Sequence, residues 1–93
     1  MNINHLVYII ETYKCGSVNQ AAKNYYISQS NLSNIIKNVE NEIGFPIFLR
    51  SKSGITATPA GIKFMLSAER IVNERRNTQK ISYLLIIRRK FLM

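Results

Sequence analysis

Ninety-three residues bound this chain to one small domain with a modest core and no room for a second. A hydrophobic content of 46% supports a globular chain, while thirteen Lys and Arg against five Asp and Glu give a net charge of +8 and point to an anionic partner. A single Cys and a single His exclude an intrachain disulfide, a cysteine-based zinc finger and a metal cluster; with four Gly and no nucleophile-base set, nothing points to an enzyme or a cofactor.

In chain order, the start MNINHLVYIIE has no basic n-region, and Glu11 interrupts its apolar run, so it is not a signal peptide. Leu6, Ile9, Ile10 and Tyr13 instead share one face of a first helix, with Asn2 or Asn4 as its cap. His5 reads as a solvent-facing residue or a phosphate contact, and Cys15 as packing at the helix end. In GSVNQAAKNYY, residues 16–26, Ser17 followed three residues later by Gln20 reads as a capping box. Val18, Ala21, Ala22 and Tyr25 then recur at helical spacing, and the two alanines allow close approach of a neighbouring helix. After Tyr26 there is room only for a tight turn before Ser28, which can cap the next helix.

That next segment, SQSNLSNIIKNVENEIG, is the most informative in the chain. On a helical wheel Leu32, Ile35, Ile36, Val39 and Ile43 form one arc, and Ser30, Asn34, Lys37 and Asn41 the opposite one, with Asn31, Ser33 and Asn38 beside it. Glu40 and Glu42 lie at the flanks. Short amides, hydroxyls and one cation on an apolar-backed helix suit a DNA major groove, where Asn can bridge adenine and Lys reaches guanine or phosphate. The same pattern also fits the solvated outer face of an ordinary core helix. Two short helices joined by a tight turn, the second polar-faced, form a helix-turn-helix.

Gly44 is placed to end that helix in a left-handed cap, and Pro46 forbids an immediate restart. Residues 47–58 read as a hairpin with arms near Phe48 to Arg50 and Ile55 to Ala57, the wing of a winged helix-turn-helix. Arg50 and Lys52 can reach flanking phosphates or the minor groove; alternatively Lys52 keeps an exposed edge soluble. Thr58-Pro59 is a helix start, after which Phe64, Met65, Ala68, Ile71 and Val72 form an apolar stripe that can pack on its own bundle, on a partner, or on both. NERRNTQK, residues 73–80, has no apolar residue, so a dimer seam cannot run through it without large gaps, though a solvated helix or loop can. ISYLLIIRRKFLM is apolar and basic: a shielding element, an amphipathic end for membrane or nucleic acid, or the place where a longer reading frame was cut or shifted. Its run of residues 81–87 is too short for a membrane span, and a cytoplasmic location follows. The expected division is a mainly α winged helix-turn-helix at 1–58, a linker and dimerisation helix at 59–80, and a tail of unknown role at 81–93.

Charge is distributed unevenly. Residues 1–60 hold five cations against three acids, a balance of +2, and residues 61–93 hold eight against two, a balance of +6. The basic excess therefore supports an anionic partner without locating it.

From His5 to Phe64 the residues resemble the N-terminal DNA-binding domain of LysR-type transcriptional regulators. The likeness rests on Gly16-Ser17, Ala21-Ala22, Ser28-Gln29-Ser30, Ser33 with Ile36, Val39-Glu40, Gly44, Phe48 with Arg50, and Thr58 with Ala60-Gly61, in that order and spacing. Ala57 departs from the family's usual Leu, and Asn34 and Ile35 stand where longer polar or basic residues are common. These departures bear on which sequence is read more than on the fold. With the residue chemistry, the resemblance implies double-stranded DNA contacts from Ser17, Ser28, Gln29, Ser30, Asn31, Ser33, Asn34, Lys37, Arg50, Lys52 and Thr58. It also implies a homodimer through the linker helix, which places Met65, Ala68 and Val72 in the seam. The family normally continues into a large ligand-sensing domain that these residues lack, so no small-molecule effector is expected within the chain. The expected function is sequence-specific transcriptional regulation; the alternative is an interaction module that forms mixed dimers with full-length relatives and inhibits them.

Overall fold

The computed structural model describes residues 1–92, and side chains for residues 1–76. Helix α1, Ile3–Cys15, starts at Asn2, whose side-chain oxygen accepts the N–H of His5, and ends at Gly16, whose φ of 65° closes the helix in a left-handed cap. Leu6, Ile9 and Ile10 enter the core as their spacing requires. Tyr13 falls on the same face by period yet stands 40% exposed near the helix end. Thr12 is fully buried instead, with its hydroxyl donating to the carbonyl of Tyr8 at 2.8 Å. That bond is what lets a polar side chain occupy the core.

Helix α2, Val18–Asn24, is capped by Ser17, which accepts the N–H of Gln20 at 3.1 Å. The reciprocal half of the expected capping box does not form: the Gln20 amide donates along the helix to Asn24. Ala21 and Ala22 are buried, and Tyr25 meets Tyr8 of α1 edge to face with ring centroids 5.3 Å apart. The turn to the next helix passes through Tyr26 at φ 57°, and Ile27 N–H returns to the carbonyl of Ala22.

Helix α3, Gln29–Ile43, is capped by Ser28 at one end and by Gly44, φ 87°, at the other. Leu32, Ile36 and Val39 are at most 3% exposed. Each such burial contributes roughly 1.5–3 kcal/mol, so together they fix the rotation of α3 about its own axis. Strands β1, Phe48–Ser51, and β2, Gly54–Ala57, pair antiparallel with Phe48 opposite Ala57 and Ser51 opposite Gly54. Lys52 and Ser53 alone make the tip. Phe48 and Ile55 turn into the core with Ile47, while Leu49 and Arg50 stay outside.

Helix α4, Pro59–Leu92, packs against α1, and its backbone continues as helix past residue 80, where the linker helix was expected to end. The side chains of the apolar-basic tail, and with them the question of its role, lie outside the described residues. Three helices, a two-stranded wing and a long fourth helix make this a winged helix-turn-helix, as the hydrophobic periods and turn residues predict.

Candidate nucleic-acid interface

Because its apolar back is locked in the core, α3 must present its opposite face outward. Gln29, Ser30, Asn31, Asn34 and Lys37 are all exposed there, and Ser33 is half-buried beside them. The helix's two acids are engaged elsewhere. Glu40 accepts the backbone N–H groups of Ile47 and Phe48, and Glu42 pairs with the amino group of Met1 at 3.0 Å. The outward face is therefore a strip of amides and hydroxyls with one cation. Among the described residues no carboxylate is paired with Lys37, Arg50 or Lys52.

Ser28 and Ser17 play matched parts. Each hydroxyl oxygen accepts the N–H three residues on, which leaves its proton to donate to an outside acceptor. Ser17, Gln29 and Arg50 come together around an open cleft of about 200 Å³ at the corner between α2, α3 and the wing. Asn19 lines the same cleft. Sequence reasoning passed over it, although its place in the first turn of α2, two residues after the Ser17 cap, is the signal that finds it. Donors of this kind, converging on one corner with a guanidinium, suit a phosphate oxygen. Lys37 lies apart from this group, lining a separate cleft with Glu40, Asn41 and residues 44–46. Lys52 sits at the wing tip, exposed. Tyr26, 96% exposed in the turn, is the most projecting aromatic among the described residues and was not among the predicted contacts.

Two expectations require correction. Thr58 is not available to a ligand: it is 8% exposed, its hydroxyl donates to the carbonyl of Pro46 at 2.7 Å and accepts the N–H of Gly61 at 2.9 Å. It is a cap that ties the end of the wing to α4, and its hydroxyl is committed there. Nor are Met65, Ala68 and Val72 a free seam. They are 3%, 1% and 6% exposed because α4 lays this stripe against its own chain's core. Among the described residues, the large apolar side chains that α4 does leave bare are Ile62, Leu66 and Ile71. Ile62 and Leu66 are one turn apart on one side of the buried stripe, and Ile71 lies on the other.

With this arrangement in place, the relationship to known proteins is direct. Residues 3–62 match the family model of bacterial regulatory helix-turn-helix proteins of the lysR family. The chain belongs to that family. It is similar to the HTH-type transcriptional regulator TdcA of Escherichia coli K12, with 36% identity over 73 residues, 78% of this chain and 23% of TdcA. It is also similar to CzcR of Bacillus thuringiensis, 41% identical over 59 residues, 63% of this chain and 20% of that protein. The chain thus spans about a quarter or less of the length of these relatives. Among solved structures, the DNA-binding domain of CbnR in complex with DNA superposes with a TM-score of 0.83 at 29% identity, covering 88% of this chain and 94% of that one. The BenM DNA-binding domain bound to its benA site 1 DNA gives 0.86 at 26% identity, covering 91% and 96%. The family is one of transcriptional regulators, and among the described residues no helix is long and apolar enough to cross a membrane.

Proposed function

We propose that this chain binds double-stranded DNA in a sequence-specific manner and regulates transcription. Helix α3 enters the major groove and the wing tracks the flanking backbone. The observation that carries the reading is the exposed, acid-free strip of Ser30, Asn31, Asn34 and Lys37 on a helix whose apolar face sets Leu32, Ile36 and Val39 into the core. Asn34 and Lys37 are one turn apart at its centre and read base edges. Ser17, Ser28, Gln29 and Arg50 hold phosphates, and Lys52 reaches along the backbone from the wing tip. The likeness to two domains solved on DNA supports this docking. Selecting bound fragments from random duplex DNA with the purified chain tests it; enrichment of no motif would refute sequence-specific binding.

Assembly as a homodimer through α4 accompanies this reading, with the contact surface moved to the bare residues Ile62, Leu66 and Ile71. A two-fold dimer places half-sites on one face of the duplex, about 10 bp or a multiple apart. The same bare residues favour a second reading, in which the chain pairs with longer relatives and inhibits them. Retardation of a promoter fragment by the chain alone separates the two, since an obligate inhibitor gives none.

A further inference from the structure

The wing can help α3 on a duplex only if the two are held at one pitch, and one side chain of α3 bonds directly to the start of the wing. Glu40, in the penultimate turn of α3, reaches over the loop that follows the helix. Its Oε2 accepts the N–H of Ile47 at 2.6 Å and that of Phe48 at 3.3 Å, the residues through which the chain enters β1. Ile47 is fully buried and Phe48 is 8% exposed, so water is no ready substitute acceptor for these two donors. The far side of the same joint is also closed. The carbonyl of Ile47 accepts the N–H of Thr58 at 2.9 Å, and the N–H of Ile55 donates to the carbonyl of Gly16 at 3.1 Å, which holds β2 at the corner carrying Ser17.

We propose that Glu40 is a positioning residue for DNA binding: it hangs the wing from the recognition helix so that Arg50 and Lys52 meet the same duplex as Asn34 and Lys37. The inference rests on the DNA-binding reading above. It also runs against simple electrostatics. A carboxylate beside the interface repels the phosphate backbone, so removing it should tighten binding if charge were all that mattered.

Two variants of equal charge separate the effects. Glu40→Gln keeps a carbonyl oxygen in reach of the two N–H groups, whereas Glu40→Ala removes the acceptor. Affinity for a duplex selected by the wild-type chain is measured by fluorescence anisotropy, below the unfolding midpoint of every variant. E40A should bind about tenfold more weakly than E40Q, the equivalent of one charge-assisted phosphate contact. Arg50→Ala should cost about tenfold in the E40Q background but about twofold or less in E40A, because the wing is already displaced there. Asn34→Ala should cost the same in both. Equal binding by E40A and E40Q, or an Arg50→Ala effect undiminished in E40A, overturns the proposal. Should E40A fail to fold, Glu40→Asp takes its place. It keeps the charge but withdraws the carboxylate by one methylene, and an undiminished Arg50→Ala effect in that background is again fatal. Failure of the wild-type chain to select any duplex is a different result, which removes the DNA-binding reading itself and this inference with it.

Discussion

Replacing Gly61 with Ala tests the joint between the wing and α4. Gly61 sits in the first turn of α4, and a Cβ there would lie 2.0 Å from the carbonyl oxygen of Ile47, 2.9 Å from its carbon and 3.0 Å from Oγ1 of Thr58. The obstacle is backbone inside the core, so no side chain can swing aside. The start of α4 and the entry to β1 must separate by more than 1 Å to reach ordinary contact. Forcing a methyl group into such a site costs about 3 kcal/mol, the upper end of the range for overpacked cores. Separation also strains the Thr58 cap on Gly61 and the Thr58 N–H bond to Ile47, each worth about 1 kcal/mol. Against this, Ala in place of Gly within a helix returns about 1 kcal/mol. The net is a destabilisation of about 3–4 kcal/mol, which lowers the midpoint of thermal unfolding by roughly 12–30 °C in a domain of this size. Urea titration and thermal melts followed by circular dichroism measure it. An unchanged or raised midpoint, the result helix propensity alone would give, refutes the reasoning.

Asn34→Ala should cost roughly 1–3 kcal/mol on the preferred duplex and relax sequence preference, as judged by binding to a panel of single-base variants; unaltered affinity and preference would mean that α3 is not the reading element. Met65→Ala should destabilise the fold by about 2–5 kcal/mol, because Met65 packs in the chain's own core, whereas Leu66→Glu should leave unfolding almost unchanged and shift sedimentation toward monomer; the opposite assignment of effects would restore the buried stripe to the dimer seam. The Cys15 thiol donates to Glu11 at 3.1 Å, which, with burial and the nearby carboxylate charge, raises its pKa and holds it protonated. This proton is bound more tightly by the folded chain, so its contribution to stability is full below the unfolded thiol's pKa and is lost as pH rises through the folded value. Alkylation of Cys15 by iodoacetamide in mildly alkaline buffer should therefore be slower than that of a free thiol and should accelerate in Glu11→Gln; equal rates would discount the hydrogen bond.

Much of this architecture was legible because each element carries its own stop and start. Ser17, Ser28 and Gly44 act as caps where their chemistry says they should, and the apolar period of α3 dictates which face turns outward. Contacts between elements were not legible in the same way. Glu40 reads in sequence as a charge on the flank of a polar face, and nothing local reveals that its oxygen is consumed by two N–H groups seven and eight residues later. Thr58 has the composition of a cap and of a phosphate contact alike; burial decides between them, and burial is a property of the assembled domain.

The stripe on α4 shows the same limit more sharply. A period of three and four establishes that Met65, Ala68 and Val72 face something apolar, but it is equally consistent with a core and with a partner. The deciding quantity is the apolar surface that α1 leaves uncovered by α2 and α3. A bundle of three short helices cannot close over Leu6 and Ile10 alone, so the first four turns of α4 are taken up as its fourth wall. Ala68, small and 1% exposed, lets the two helices approach closely there. Once those turns are committed, a partner can meet this part of α4 only along its edges, at Ile62 and Leu66 on one side or Ile71 on the other. A dimer formed in that way joins one folded core to another and does not complete either, so the reading head stays formed when the protomers separate. Binding to a single half-site should then persist, weakened, in a monomeric Leu66→Glu variant, and its loss together with the fold would show that α4 depends on its mate after all.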